Sequence, residues 1–139
     1  MLPPRHRPWG STLTTIALAY NPAMLLIRFL FELFALGCLG LWAWRRTPSP
    51  WRWLTVIALP VFVGWAWGAF AVSGDESRSG ETDFETPGPL RLLLELSVFF
   101  GAVAALHHLE IRRVARWFLV ALVVYHVLAY DRVWWLLTK

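Results

Sequence analysis

An arginine and a glutamate stand four residues apart in each of two apolar runs, Arg28-Phe29-Leu30-Phe31-Glu32-Leu33 and Arg91-Leu92-Leu93-Leu94-Glu95-Leu96. Four residues is about one helical turn, so each pair shares a helix face. A charge at the centre of a membrane helix costs about 2.5–3.5 kcal/mol by insertion estimates. All four residues are therefore expected inside a bundle as a buried ion-pair cluster. Arg before Glu is the weaker order within one helix, and Arg near a helix N-terminus opposes its dipole. Both points favour pairing across helices, Arg28 with Glu95 and Arg91 with Glu32. Such a quartet can act as a structural clamp between two parts of the chain. Alternatively it can handle protons or ions, with His126 in the last apolar run as a further site. The clamp is the preferred reading, because charges taken out of water need neutralising partners whatever else they do.

Other residue patterns carry less chemistry. His107-His108-Leu109-Glu110 resembles a metal cluster only superficially, since adjacent histidines point in different directions on a helix. It lacks the spacing that sets two ligands on one face, so a solvated turn is expected and no metal is assigned. Cys38 is the single cysteine, which excludes an internal disulfide or a cysteine zinc cluster. With no nucleophile–base arrangement or phosphate-binding loop in view, neither an enzyme nor a cofactor is expected. Arg45, Arg46, Arg112 and Arg113 could attract anionic lipid head groups at about 1 kcal/mol each. Simple topogenic charge explains them equally well. Gly64-Trp65-Ala66-Trp67-Gly68 permits close helix approach, and contact within the monomer is favoured over a dimer.

The elements that must position these residues follow from composition. Hydrophobic residues make up 58% and charged residues 16% of the 139-residue chain, against about 45–50% and about 25% in soluble domains. Mean hydropathy is +0.51. One small domain cannot hide that much apolar surface from water. Four apolar stretches, about 23–44, 53–72, 89–106 and 114–130, each approach the ~20 residues needed to cross ~30 Å of hydrocarbon as a helix. Helices are required because lipid offers the backbone no hydrogen-bond partners. Short connections at Arg45–Trp51 and His107–Arg113 make antiparallel neighbours. A polar, acidic loop, 73–88, joins the two pairs. Residues 1–21 read as an N-terminal tail and interfacial segment, and 22–139 as a single transmembrane domain. Asn21-Pro22 marks the start of the first helix.

The halves also resemble each other. Besides the two Arg-x-x-x-Glu-Leu runs, Trp51-Arg52-Trp53 opens the second stretch and Ala115-Arg116-Trp117 the fourth, at nearly the same displacement. The expected fold is all-α: a polytopic membrane protein of four transmembrane helices, arranged as two repeated antiparallel hairpins. Tryptophans at the stretch ends suit the two water interfaces, and the arginines of the short loops lean towards a cytoplasmic placement with both termini outside. Basic residues sit at the ends of apolar runs and not in a stripe, which excludes a nucleic-acid surface. The expected partners are the lipid bilayer and either further copies of the chain or another membrane protein. The alternative function is a small oligomeric transporter or channel handling protons or ions through Glu32, Glu95 and His126, oligomeric because four helices enclose little space.

Three segments carry a family resemblance. Arg-x-x-x-Glu-Leu in the first helix, Trp51-Arg52-Trp53, and the run from Pro87 to Leu96 (PGPLRLLLEL) resemble the YrdB-like family of small four-helix bacterial membrane proteins. The resemblance covers about Asn21 to Tyr130. It implies a bacterial inner-membrane location and no assigned reaction, and it brings no catalytic residues.

Overall fold

A computed structural model describes residues 21–75 and 83–139. The expected tail, the interfacial segment up to Tyr20, and Glu76, Arg78 and Glu81 of the acidic loop lie outside the described residues. Five helices are present among them: α1 (Pro22–Arg46), α2 (Arg52–Ala69), α3 (Gly88–His108), α4 (Arg112–Leu128) and α5 (Tyr130–Thr138). Helices α1, α2 and α3 are long and apolar enough to cross a membrane. Helices α4 and α5 meet that test together, as a pair bent by 70°. The protein is all-α in its main elements and suited to several membrane crossings.

Helix α1 starts where its capping chemistry dictates. The Asn21 side-chain oxygen accepts the Ala23 N–H at 2.9 Å, with Pro22 in the first turn. Asn at the cap satisfies a backbone donor that has no helical partner, and Pro there removes another. At the far end Arg45 and Arg46 face the carbonyl end of the dipole, which favours positive charge. Trp44 meets Trp53 edge-on at 4.6 Å, Gly40 faces Val56 and Pro60, and Glu32 shares a crevice with Gly64. Positions rise along α2 as they fall along α1, so these two helices run antiparallel. Pro60 cannot bond the Val56 carbonyl; the missing side chain at Gly40 lets both pack against α1.

Helix α3 is the most enclosed of the three long helices and α2 the least. Helix α3 packs against α1, α4 and α5, whereas α2 leans chiefly on α1. The core is built from Ala35 and Cys38 of α1, Phe99 and Ala102 of α3, and Phe118 and Leu122 of α4. Phe31 inserts edge-on between Phe118 and Tyr125, with ring centroids 5.8 and 5.7 Å away. Trp53, Ile57, Val61, Phe62 and Trp65 of α2 and Trp117, Val120, Val124 and Val127 of α4 stay exposed. Such an apolar surface is a liability in water and the right surface for acyl chains.

The boundaries depart from the sequence reading at two places. The second apolar stretch ends its helix at Ala69 and not at residue 72. Phe70–Ala71 then forms a two-residue parallel pairing with Phe84–Glu85, closed by stacked Phe70 and Phe84 rings at 5.2 Å. The ends of the polar loop are thus tied together. The last stretch also does not run on to residue 130 as one helix: it breaks at Ala129, and α5 turns away. Tyr130, Trp134 and Leu137 lie on the exposed side of α5, and Arg132 and Leu136 on its buried side. A straight continuation would have put Arg132 on course for the end of the membrane crossing. The bend lets it turn inward to acidic partners. Helix α5 passes over the start of α3 at Gly88, where a β-carbon would collide with the Leu136 backbone. By contrast, a β-carbon at Gly64 or Gly68 would meet nothing within 4 Å, so the expected close approach of that motif within the monomer does not occur.

Candidate functional site

The buried charges converge where α1, α3, α5 and the chain after Ala71 meet. Each Arg-x-x-x-Glu run is helical, so each places its two charged side chains one turn apart on the inward face. Arg28 Nε donates to Glu32 at 3.1 Å, and Arg28 Nη2 reaches Glu95 at 3.3 Å. Arg132 donates to both oxygens of Glu95, at 3.1 and 3.0 Å, and to Asp75 at 3.3 Å. The result is a continuous chain of alternating sign: Glu32, Arg28, Glu95, Arg132, Asp75. Its centre, Glu95, has no exposed surface, and Arg28, Arg132 and Asp75 are all buried.

Arg91 completes the group differently from expectation. Its guanidinium lies over the Trp67 ring, 4.9 Å from the centroid, and donates to the carbonyls of Trp67, at 2.6 Å, and Phe70. Those carbonyls belong to the end of α2, where helical partners run out and partial negative charge collects. Arg91 therefore caps α2 instead of bridging to Glu32. Glu32 takes the arginine of its own helix, the order disfavoured on an exposed helix. That preference is a few tenths of a kcal/mol, small against the cost of leaving a desolvated carboxylate unpaired. With Arg91 included, three arginines balance three carboxylates among the described residues.

Of the four expected cluster residues, the fold brings Arg28, Glu32 and Glu95 into direct contact and sets Arg91 beside them. Sequence reasoning missed Arg132 and Asp75. Arg132 falls beyond the fourth apolar stretch and Asp75 within the polar, acidic loop, and neither position by itself signals burial. The sequence signal for Arg132 was its place, after Asp131, at the head of the apolar run Val133–Leu137.

His126 stands apart from the carboxylates. Its Nδ1 is 2.8 Å from the Leu122 carbonyl, which can only accept, so Nδ1 carries the proton. The ring packs edge-on to Phe99 and Tyr125 and borders an open apolar groove of about 850 Å³ lined in part by Leu96, Phe100, Val127, Tyr130 and Trp134. At the opposite end of α1, about 25 Å from Arg28 at 1.5 Å per residue, Arg45, Arg46, Arg112 and Arg113 are exposed. There Arg46 donates to the His108 carbonyl at 3.1 Å, Trp42 donates to His108 Nδ1 at 3.0 Å, and Arg112 pairs with Glu110 at 2.7 Å. His107 and His108 thus end α3 on the surface, and His108 ties it to α1.

The sequence matches a relative described as "Uncharacterized protein YrdB" from Bacillus subtilis (strain 168). The two are 36% identical over 119 residues, which is 86% of this chain and 97% of the relative. No solved structure matches the chain. The family described as "Protein of unknown function (DUF2568)" matches residues 26–124, a span that includes Arg28, Glu32, Asp75, Arg91 and Glu95 and stops short of Arg132. With the greater part of its length covered, the chain belongs to the DUF2568, YrdB-like family.

Proposed function

We propose that this protein is a non-enzymatic component of the bacterial cytoplasmic membrane, built of four crossings in two related hairpins and locked by its buried charges. The α4–α5 pair supplies the fourth crossing in this reading, with α5 turning along the interface and the short arginine-bearing loops on the cytoplasmic side. The observation that carries it is Glu95: fully enclosed, with two guanidinium groups on its carboxylate. A carboxylate so enclosed serves poorly as an entry point for substrate or solvent. It serves well as the post to which α1 and α5 are tied, and Asp75 extends the tie to the chain beyond α2. Charge-assisted bonds of this kind contribute about 1.5–3 kcal/mol each, and their alternation avoids an uncompensated buried charge.

The test is thermal unfolding of the purified protein in detergent. Glu95→Gln leaves two buried arginines without their shared anion and should lose about 3–5 kcal/mol, the usual effect of removing one partner from a buried pair. An unchanged melting temperature would refute the clamp.

A further inference from the structure

Glu32 differs from Glu95 in its access to space. Its side chain is 23% exposed, whereas that of Glu95 is fully covered. With Leu33, Val63, Gly64, Trp67 and Val98, it lines a crevice of about 180 Å³ between α1, α2 and α3. That is ample space for a single water beside the carboxylate. Glu32 Oε1 accepts from Arg28 Nε. Among the described residues none donates to Oε2. Gly64 is exposed, and a β-carbon there would meet nothing within 4 Å. The crevice is therefore reached sideways, between outer faces that carry Phe29, Leu33, Val61 and Trp65.

We propose that Glu32 is a proton-exchanging carboxyl, reached from the bilayer side through the α1–α2 crevice, while Glu95 is closed to exchange. An oxygen to which no described residue donates, and the adjoining volume, are what binding a proton, or a water that delivers one, requires. Among the described residues, Arg28 from α1, Arg91 and Glu95 from α3, and Tyr125 from α4 are ionisable groups within electrostatic reach. The α2 wall contributes Val63, Gly64 and Trp67. Arg28 holds the carboxyl in place and is shared with Glu95, so a proton on Glu32 leaves that arginine an anion. The inference rests on the crevice and is independent of the clamp.

The experiment is labelling of the full chain in phosphatidylcholine vesicles with dicyclohexylcarbodiimide, a lipophilic reagent for protonated carboxyls. The acid oxygen bonds to the central carbodiimide carbon, the acid proton passes to a nitrogen, and rearrangement to an N-acylurea fixes the adduct with no leaving group. The tag should map by mass spectrometry to Glu32 and not to Glu95, and its rate should fall severalfold as the medium is made alkaline. Glu32→Gln should abolish it. Gly64→Leu, placed where there is open space, should slow tagging severalfold while helicity by circular dichroism is unchanged. Equal tagging of Glu95, no tag at Glu32 in folded protein, or a Glu32 rate indifferent to both pH and Gly64→Leu would each overturn the proposal. Failure of the clamp would appear instead in the melting of Glu95→Gln, with the tag still at Glu32.

Discussion

The turns Arg28–Glu32 on α1 and Arg91–Glu95 on α3 are alike in residue type, spacing and inward orientation, and their surroundings differ. Glu95 lies on α3, which packs against α1, α4 and α5, and α5 and Asp75 close over it. Glu32 lies on the helix whose main neighbour is α2, which has one buried residue, Ala69. Arg28 turns towards carboxylates, and Arg91 towards the carbonyls that end α2. The pairing of a buried charge is thus set less by its local sequence than by which acceptors the neighbouring elements bring within reach. The inner turn becomes a fastening, and the outer one keeps an oxygen to which no described residue donates.

The comparison can be broken most sharply by equalising the two glutamates. Against the large loss expected for Glu95→Gln, Glu32→Gln should cost about 1–2 kcal/mol, since it removes one partly exposed charge-assisted bond. Equal melting shifts would erase the distinction between the two turns. Second in size to Glu95→Gln is the effect at the covering helix. Gly88→Ala should lower the melting temperature by the equivalent of about 2–3 kcal/mol, as overpacking does, and speed proteolysis near Leu136. The same change at Gly64 should fall within about 0.5 kcal/mol. A double-mutant cycle between Arg132 and Glu95, read by detergent melting, should give a coupling of about 2 kcal/mol, in the range for groups in direct contact. Additive effects there would detach α5 from the clamp. The smallest effect belongs to the exposed end, where Arg112→Ala should change stability by no more than about 0.5 kcal/mol.

Much of the framework was legible in the order of residues. Asn21-Pro22 marks the start of α1 because capping is a local matter of one side chain and its own backbone. The membrane-compatible length of α1, α2 and α3 follows from runs of apolar side chains, a property of neighbours in sequence. The contact of Arg28 with Glu95 was also within reach, since the cost of burying charge demands partners and the two runs offered them. Gly64-x-x-x-Gly68 misled because spacing says that a close approach is allowed and not which helix makes it.

Sequence by itself determined that the chain is apolar enough for a bilayer, where most helices begin, and which charges would need company inside. Only the tertiary structure decided the company. Arg132 reaches Glu95 because the helix breaks at Ala129, and Asp75 reaches Arg132 because Phe70–Ala71 pairs with Phe84–Glu85 after α2 has ended. Hydropathy and capping act between residues a few positions apart and can be read locally. Ion pairing in an apolar interior depends on distance in space, and the bends and crossings that set those distances come from the packing of the whole chain.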